Sequence, residues 1–486
     1  MRKKFYITTS IFYTNAPPHL GAALEMVQAD VIARYKKNQK RDVFFLTGTD
    51  EHGQKVAKAA EKAKQTPENF CDNISQKFRR LAEKLNLSNN DFIRTTDKKR
   101  HWPVVAKVWN KLEENGDIYK KAYKGLYCPG CEAFITKKDL VNGKCAIHRM
   151  EPEIIEEENY FFKLSKYSTK IKEIIERDKI RITPHSKKRE ILNFIENGLE
   201  DISFSRARKD LKWGIPVPGD SSQTIYVWAD ALVNYLSAIG YDKDKKFKKF
   251  WPADIHLVGK DILKFHSLIW PAMLISLGIS LPKIILVHGF ITVNGKKMSK
   301  SLGNIIDPFE LIDKYGTDAL RYYLLKEIPP FEDGDFTYEK FEKRYQGDLA
   351  NGLGNLIARI LGLRRRLKKR FSTKRKMSAS VRKEIDLVCK KYKKAMEEFR
   401  FNKALEVVWG LIGFCDKQIN ENKLWELIKK DGKKSQIILN DISYTARQIA
   451  ILLEPFLPET SKKIIYQLET GKSELLFPIR FLSARA

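Results

Sequence analysis

Three groups of residues have the composition and spacing of reactive or ligand-binding sites. His19-Leu20-Gly21 precedes a run with helical periodicity, and Lys297-Met298-Ser299-Lys300-Ser301 follows an apolar strand pattern and an Asn294-Gly295 turn signal. A histidine next to a glycine at a helix N-terminus can approach a phosphate closely, where free N–H groups and the helix dipole favour an anion. Lysines at i and i+3 in a Gly- and Ser-bearing loop suit a polyphosphate whose charge shifts during reaction. Asp50, at the end of an apolar run, suits an ammonium group. The third group is Cys128-Pro129-Gly130-Cys131 followed, thirteen residues on, by Cys145-Ala146-Ile147-His148. Two ligand pairs at this spacing are a structural Zn²⁺ signature, with four positions filled and none left for water. Gly130 and Gly143 permit the tight turns.

The elements that must hold these groups follow from periodicity. Residues 5–11 read as a strand, 13–18 as a loop, and Leu20, Leu24, Val27, Val31 and Tyr35 as one helix face. Residues 43–46 form the next strand, ending in Gly48-Thr49-Asp50-Glu51-His52-Gly53. Strand, helix, strand at this spacing is a βαβ unit with a parallel sheet, whose ligands sit beyond the carboxyl ends of the strands. Farther on, 223–228 reads as a strand, 229–239 as a helix, and 255–258 as a strand. The last ends in Gly259-Lys260-Asp261, which opens a helix bearing Phe265 and His266. Strands at 284–287 and 291–293 follow. Asp307-Pro308-Phe309-Glu310 reads as N-cap, N1 and N3 of a new helix. From Asp348 the patterns are helical: 349–367, 381–399, 402–421, 423–429, 437–453 and 458–468. Leu405, Val408, Leu411, Ile412 and Cys415 make one apolar stripe.

Composition bounds the function. The 486 residues carry 90 Lys and Arg against 60 Asp and Glu, a formal charge of +30. With 43% hydrophobic residues the chain can build packed cores, and the basic excess favours a polyanionic partner. The longest apolar run, 268–281, is 14 residues and holds Pro271 and Gly278, too short to span a membrane. Thr8, Thr9 and Ser10 break the N-terminal apolar stretch, which argues against a signal peptide. Six cysteines, three of them within 18 residues, do not make a disulfide framework, so the expected compartment is the cytoplasm.

His19-Leu20-Gly21 and Lys297-Met298-Ser299-Lys300-Ser301 resemble the paired signatures of class I aminoacyl-tRNA synthetases. Residues 44–53, Tyr226-Val227-Trp228-Ala229-Asp230-Ala231, Gly259-Lys260-Asp261-Ile262 with Phe265-His266-Ser267, and 288–295 narrow the resemblance to the methionyl-tRNA synthetase family along essentially the whole chain. It implies an α/β fold: a Rossmann-type parallel-sheet catalytic domain split by a zinc-binding insertion, followed by an all-α anticodon-binding helix bundle. The expected boundaries are 1–97 and 223–290 for the two catalytic halves, 98–222 for the insertion, 291–347 for the lysine-loop region, and 348–486 for the bundle.

The resemblance also implies roles. Methionine would be held by Ile11, Tyr13, Trp228, Ala231, Tyr235, Phe265 and His266, with Asp50 on its ammonium. ATP, with Mg²⁺, would be held by His19, Gly21, Gly259, Asp261, Lys297 and Lys300, of which His19, Lys297 and Lys300 are catalytic. The zinc ligands would be Cys128, Cys131, Cys145 and His148, with histidine in place of the more usual fourth cysteine. Asn355, Arg359 and Trp425 would read the anticodon of tRNA(Met). The second histidine that ends the family's first signature is replaced by Ala22. The insertion is too short for a separate editing domain, so near-cognates such as homocysteine would be rejected in the synthetic pocket. No oligonucleotide-binding domain follows the bundle before Ala486, which predicts a monomer. The rival readings are a class I synthetase for cysteine or a branched aliphatic residue, and a non-catalytic tRNA-binding paralogue. Between Leu349 and Lys383 stand twelve basic residues and no acidic one, a run expected to meet tRNA phosphates.

Overall fold

The protein is described here from a computed structural model covering residues 2–131, 133–135, 139–298, 303–367 and 377–478. Two compact units emerge. One comprises residues 1–18, 36–83 and 88–288, and the other 19–35, 84–87 and 289–486.

The first unit is built on a seven-stranded, all-parallel sheet. Its order runs Arg181–Thr183, Ile284–His288, Ile255–Gly259, Lys4–Thr8 and Asp42–Asp50. Phe12–Tyr13 and Asp91–Arg94 both pair with the last of these. The central strands read as nearly unbroken apolar runs because both faces are covered. Tyr6, Ile7, Phe45, Leu46, Leu257, Val258, Ile285 and Val287 are all buried. Gly48 is required by packing: a Cβ there would lie 2.1 Å from the Ile93 carbonyl oxygen of the neighbouring strand. The parallel arrangement puts Asp50, Gly259 and His288 at the carboxyl ends of three strands.

Two expectations fail here. Residues 223–228 do not form a strand of this sheet. Asp220–Ile225 pairs antiparallel with Ser205–Ala207 and Pro216–Val217 in a separate small sheet. A short helix starts at Val227, so Trp228 and Ala231 are helical. Conversely, the insertion lends the parallel sheet its edge strand, Arg181–Thr183. Three residues of mixed polarity carry too little pattern to be read. The rest of the insertion includes a four-stranded antiparallel sheet, in which Ile118–Cys128 runs beside Glu153–Phe162.

The second unit contains most of the helix Leu20–Asn38, the segment before the bundle, and the bundle itself. Asn294 (φ 51°) and Gly295 (φ 72°) make the turn between Ile291–Val293 and Lys296–Lys297. Both φ values are positive, as a type I′ hairpin demands. Asp307 caps the helix Pro308–Tyr315, accepting from the Phe309 N–H at 2.8 Å. The bundle helices are Asn355–Arg366, Ala379–Glu397, Phe401–Glu421, Leu424–Lys430, Gly432–Leu453 and Pro458–Thr470. The helix expected at 349–367 is interrupted: residues Tyr345–Gly354 are π-helical and regular α-helix begins at Asn355. Among the described residues no helix is long and apolar enough to cross a membrane.

Arg364, one of the basic run, is buried and donates to the Leu468 carbonyl at 2.7 Å, so it holds the bundle together and is not available to a phosphate. Lys368 to Lys376 lie outside the described residues.

One buried charge ties this unit together. The Arg321 guanidinium and the Asp30 carboxylate are fully buried and 2.8 Å apart. Arg321 also donates to the carbonyls of Phe456, Leu85 and Pro455 at 2.8, 3.0 and 2.9 Å. Arg34 adds a bond to Asp30 at 2.7 Å and to Glu454 at 3.2 Å. Replacing Arg321 with Met leaves a buried carboxylate and three carbonyls short of a donor. The expected loss is about 3–5 kcal/mol of stability, read as a lowered melting temperature of the second unit by scanning calorimetry.

Candidate active site

His19 stands just ahead of the helix Leu20–Asn38, and its ring folds back over the first turn. The Gly21 N–H donates to His19 Nδ1 at 3.0 Å. A Cβ on Gly21 would lie 2.7 Å from the imidazole Cε1, so the glycine is what lets the ring sit there. Burial lowers the imidazole pKa and keeps the ring neutral. With Nδ1 accepting, the single ring proton must be on Nε2, which makes His19 a fixed donor. Ala22 occupies the helix's first turn, buried.

Glycine has the same function at the end of the strand Ile255–Gly259. A Cβ on Gly259 would lie 2.7 Å from Asp261 Oδ1, so its absence lets that carboxylate close over the strand end. Lys297 is exposed on the hairpin strand, its ammonium 5.2 Å from the Phe290 ring centroid. The hairpin is anchored by Asp335, which accepts from the Gly295 N–H and the Thr292 hydroxyl, each at 2.7 Å. Lys300 lies outside the described residues.

The aromatic residues singled out in the sequence converge within the first unit. Trp228 and Phe265 stack with centroids 3.8 Å apart and planes 6° from parallel. His266 meets Trp228 edge-on at 6.2 Å. The Tyr235 hydroxyl lies 2.7 Å from His266 Nε2. His266 Nδ1 lies 3.0 Å from the Ile262 carbonyl, which can only accept, so Nδ1 carries the proton and Nε2 accepts from Tyr235. Ile11, Tyr13, Trp228 and Phe265 are among the partly exposed residues packed on one large apolar cluster, with Tyr235 inside it. Ala231 and His266 are buried. Asp50 is buried in register beside Tyr13. Stacked aromatic and apolar side chains of this kind suit a flexible thioether.

Sequence reasoning missed several supporting residues. Glu51 is buried and held by Arg94 through two bonds, at 2.7 and 2.9 Å, and by the hydroxyls of Thr49 and Thr96. His256 lies behind Tyr235, with ring centroids 4.2 Å apart. Its Nε2 accepts from Trp270 at 3.3 Å and its Nδ1 donates to the Thr8 hydroxyl at 2.8 Å. Burial holds its pKa well below the usual imidazole value. Only the strand position of His256 was legible; its burial depends on non-local packing.

The four proposed metal ligands come together. Cys128 Sγ, Cys131 Sγ, Cys145 Sγ and a His148 ring nitrogen all lie within 4.8 Å of one another. Cys131 Sγ is 3.5 Å from Cys145 Sγ and 3.3 Å from His148 Nδ1. A tetrahedral zinc with ~2.3 Å bonds to sulfur spaces its ligands about 3.8 Å apart, so the cage fits. Gly130 is needed for close approach: a Cβ there would lie 2.5 Å from the His148 ring. Gly143 has φ 76°, the left-handed turn expected of it.

In the bundle, Arg359 is already bonded to Asp416 and Asn420, each at 2.6 Å. Its helix packs against Phe401–Glu421 and against Leu424–Lys430. Asn355 and Trp425 are exposed.

Comparison with known proteins gives the family. A family model described as class I tRNA synthetases (M) matches residues 5–145 and 135–361, and one described as the anticodon-binding domain of tRNA ligase matches 379–481. The chain is 43% identical over 478 residues to a methionine–tRNA ligase of Thermotoga maritima, covering 95% of this chain and 74% of that one. It is 44% identical to that of Caldanaerobacter subterraneus, covering 96% and 74%. Among solved structures it is similar to Mycobacterium tuberculosis methionyl-tRNA synthetase in complex with methionyl-adenylate. There the TM-score is 0.92 and the identity 35%, covering 98% of this chain and 100% of that one.

Two outcomes follow. His256 is held neutral in the fold, whereas in the unfolded chain it takes a proton near pH 6.5, so the unfolded state binds more protons in acid. Its contribution is therefore intact above about pH 6.5 and falls by about 1.4 kcal/mol per unit below it, until the lowered folded pKa is reached. His256→Gln should flatten that part of the stability–pH curve, measured by urea denaturation from pH 5 to 8. If the cage holds zinc, elemental analysis should find one equivalent in the wild type and a loss of it in Cys131→Ser, with faster amide exchange across residues 128–154 and the parallel sheet unaffected.

Proposed function

The chain belongs to the methionyl-tRNA synthetase family of class I aminoacyl-tRNA synthetases, and from that premise we propose how its residues divide the work. It is a methionine–tRNA ligase. The methionine carboxylate attacks the α-phosphate of magnesium-bound ATP, pyrophosphate leaves, and methionyl-adenylate passes its acyl group to the 3′ adenosine of tRNA(Met). The reading is supported by likeness over nearly the whole chain to a synthetase solved with methionyl-adenylate, at a TM-score of 0.92 and 35% identity.

No side chain need act as a nucleophile. Positioning and charge stabilisation suffice for in-line displacement at phosphorus. Asp50 takes the methionine ammonium, while Trp228, Phe265, Tyr235, His266, Ile11, Tyr13 and Ala231 take the side chain. The neutral His19 donates from Nε2 to a phosphate oxygen. This geometry works in either charge state of the ligand, since the donor is fixed by the Gly21 N–H. Lys297 and Lys300 supply positive charge to the departing pyrophosphate, and Gly21, Gly259 and Asp261 complete the ATP contacts. Zinc, when bound by Cys128, Cys131, Cys145 and His148, locks the two turns of the insertion. Asn355, Arg359 and Trp425 read and stack unpaired anticodon bases. The proposed compartment is the cytoplasm.

ATP–pyrophosphate exchange tested with all twenty amino acids should respond to methionine alone. Exchange with cysteine or a branched aliphatic residue would overturn the assignment. Lys300→Ala should reduce exchange by about 10²-fold or more, and Ala22→His should change it less. Trp425→Ala should raise the KM for tRNA while leaving exchange untouched.

A further inference from the structure

Two of the eight histidines close on a single carboxylate inside the first unit, and nothing in the reaction above uses them. Asp230, His52 and His101 are 1%, 2% and 0% exposed. Asp230 Oδ2 lies 2.6 Å from His52 Nδ1, and Oδ1 lies 2.7 Å from His101 Nε2. His101 Nδ1 in turn lies 2.8 Å from the Ser237 hydroxyl. The His52 ring is wedged edge-on between Trp102 and Trp213, at 5.9 and 5.5 Å. Burial pushes the Asp230 carboxyl pKa up, but the two imidazoles outweigh it and hold the group ionised.

We infer that His52, Asp230 and His101 form a clamp that fixes the separation between the two walls of the methionine pocket, and so act as positioning residues for amino-acid binding. The inference rests on the pocket reading given above. Its basis is where the three residues stand. His52 is two residues beyond Asp50, the proposed ammonium ligand, on the loop that leaves the strand Asp42–Asp50. Asp230 sits between Trp228 and Ala231 on the helix Val227–Ala231, which carries the side-chain wall. His101 immediately precedes the helix Trp102–Glu114 and, through Ser237, also reaches the helix Asn234–Ser237, which carries Tyr235. One carboxylate therefore gathers three backbone segments, two of which bear substrate ligands.

The geometry points to positioning as the reason for a buried charge. An isolated buried carboxylate is unfavourable, and apolar residues of similar volume usually serve stability as well or better. What apolar packing does not supply is direction. Two charge-assisted hydrogen bonds on opposite oxygens hold the helix Val227–Ala231 from two directions, through His52 to the Asp50 loop and through His101 to the start of the helix Trp102–Glu114. A methionine whose ammonium and side chain must both be satisfied is sensitive to the separation of the two walls. ATP, which touches neither wall in this assignment, is not.

The test is pyrophosphate exchange by the full-length protein, with wild type, His52→Ala, His52→Asn, His52→Gln, His101→Ala and His101→Gln. Asn at 52 keeps an N–H donor near the Nδ1 position, and Gln at 101 keeps one near Nε2. Gln at 52 carries the same group one bond too far. The alanine variants should raise the KM for methionine about tenfold or more, with the KM for ATP unchanged. His52→Asn and His101→Gln should recover to within about threefold of wild type, and His52→Gln should not. Should an alanine variant fail to fold, the His52→Asn and His52→Gln pair still decides. Equal KM values for that pair, or parallel rises for methionine and ATP, would overturn the clamp. Absent exchange by wild type would overturn the pocket reading itself, whereas normal wild-type exchange with indifferent variants would sink the clamp alone.

Discussion

A guanidinium sealed from water must find a partner for nearly every N–H it carries, and Arg321 does so by drawing four chain segments to one point. Asp30 supplies the countercharge, and Leu85, Pro455 and Phe456 supply carbonyls. The segments are far apart in sequence: the helix that begins at the His19 signature, a short connector, the helix Thr317–Lys326 that carries Arg321, and the turn between the last two bundle helices. Breaking one bond strands the others, because a half-satisfied buried charge costs more than none. This constraint explains why residues 19–35, nested within the βαβ pattern of the sequence, belong by packing to the same unit as the lysine hairpin and the bundle.

The histidines of the catalytic unit show a second kind of constraint. His256 and His266 each face one partner that can play only one role, the Trp270 indole N–H that donates to His256 and the Ile262 carbonyl that accepts from His266. Their tautomers are thereby written into the fold, as that of His19 is by the Gly21 N–H in the other unit. Ring nitrogens that would otherwise titrate near neutrality become directional donors and acceptors of fixed sense. Two carboxylates accompany the proposed methionine slot, Asp50 at the strand end and Asp230 on the helix behind Trp228 and Ala231.

Much of this was legible in the residues. The parallel strands 43–46, 255–258 and 284–287 announced themselves as apolar runs, and the observed strands extend them by one to five residues. The Asn294-Gly295 turn and the Asp307 cap appear as read, since both depend on local backbone chemistry. The bundle helices were visible by period. Failures came where a decision is non-local. A three-residue strand of mixed polarity, 181–183, joined the sheet by pairing with Ile284–His288, which is distant in sequence. Trp228 left its expected strand for a helix because Asp220–Ile225 found antiparallel partners nearer in sequence. The cysteine–histidine cage was plain from spacing, but the reason for Gly130 was not. Spacing suggested a turn, whereas the coordinates give it as room for the His148 ring. The His52, Asp230 and His101 cluster draws on residues 178 and 129 positions apart, beyond any window over which a pattern can be recognised.

Arg359 carries a consequence of a different kind. Its guanidinium is held on one helix by Asp416 and Asn420 of another before any nucleic acid arrives. An unrestrained arginine on a protein surface gives up roughly 2 kcal/mol of rotameric freedom when it is fixed. Here that loss is taken during folding, with the plane of the fork already chosen and three of its five N–H groups still uncommitted by those two bonds. In the anticodon role proposed for it, a base that meets this side chain encounters a rigid template. Discrimination between bases then depends on how well each edge matches a preset orientation, and a poor match gains nothing from side-chain adjustment.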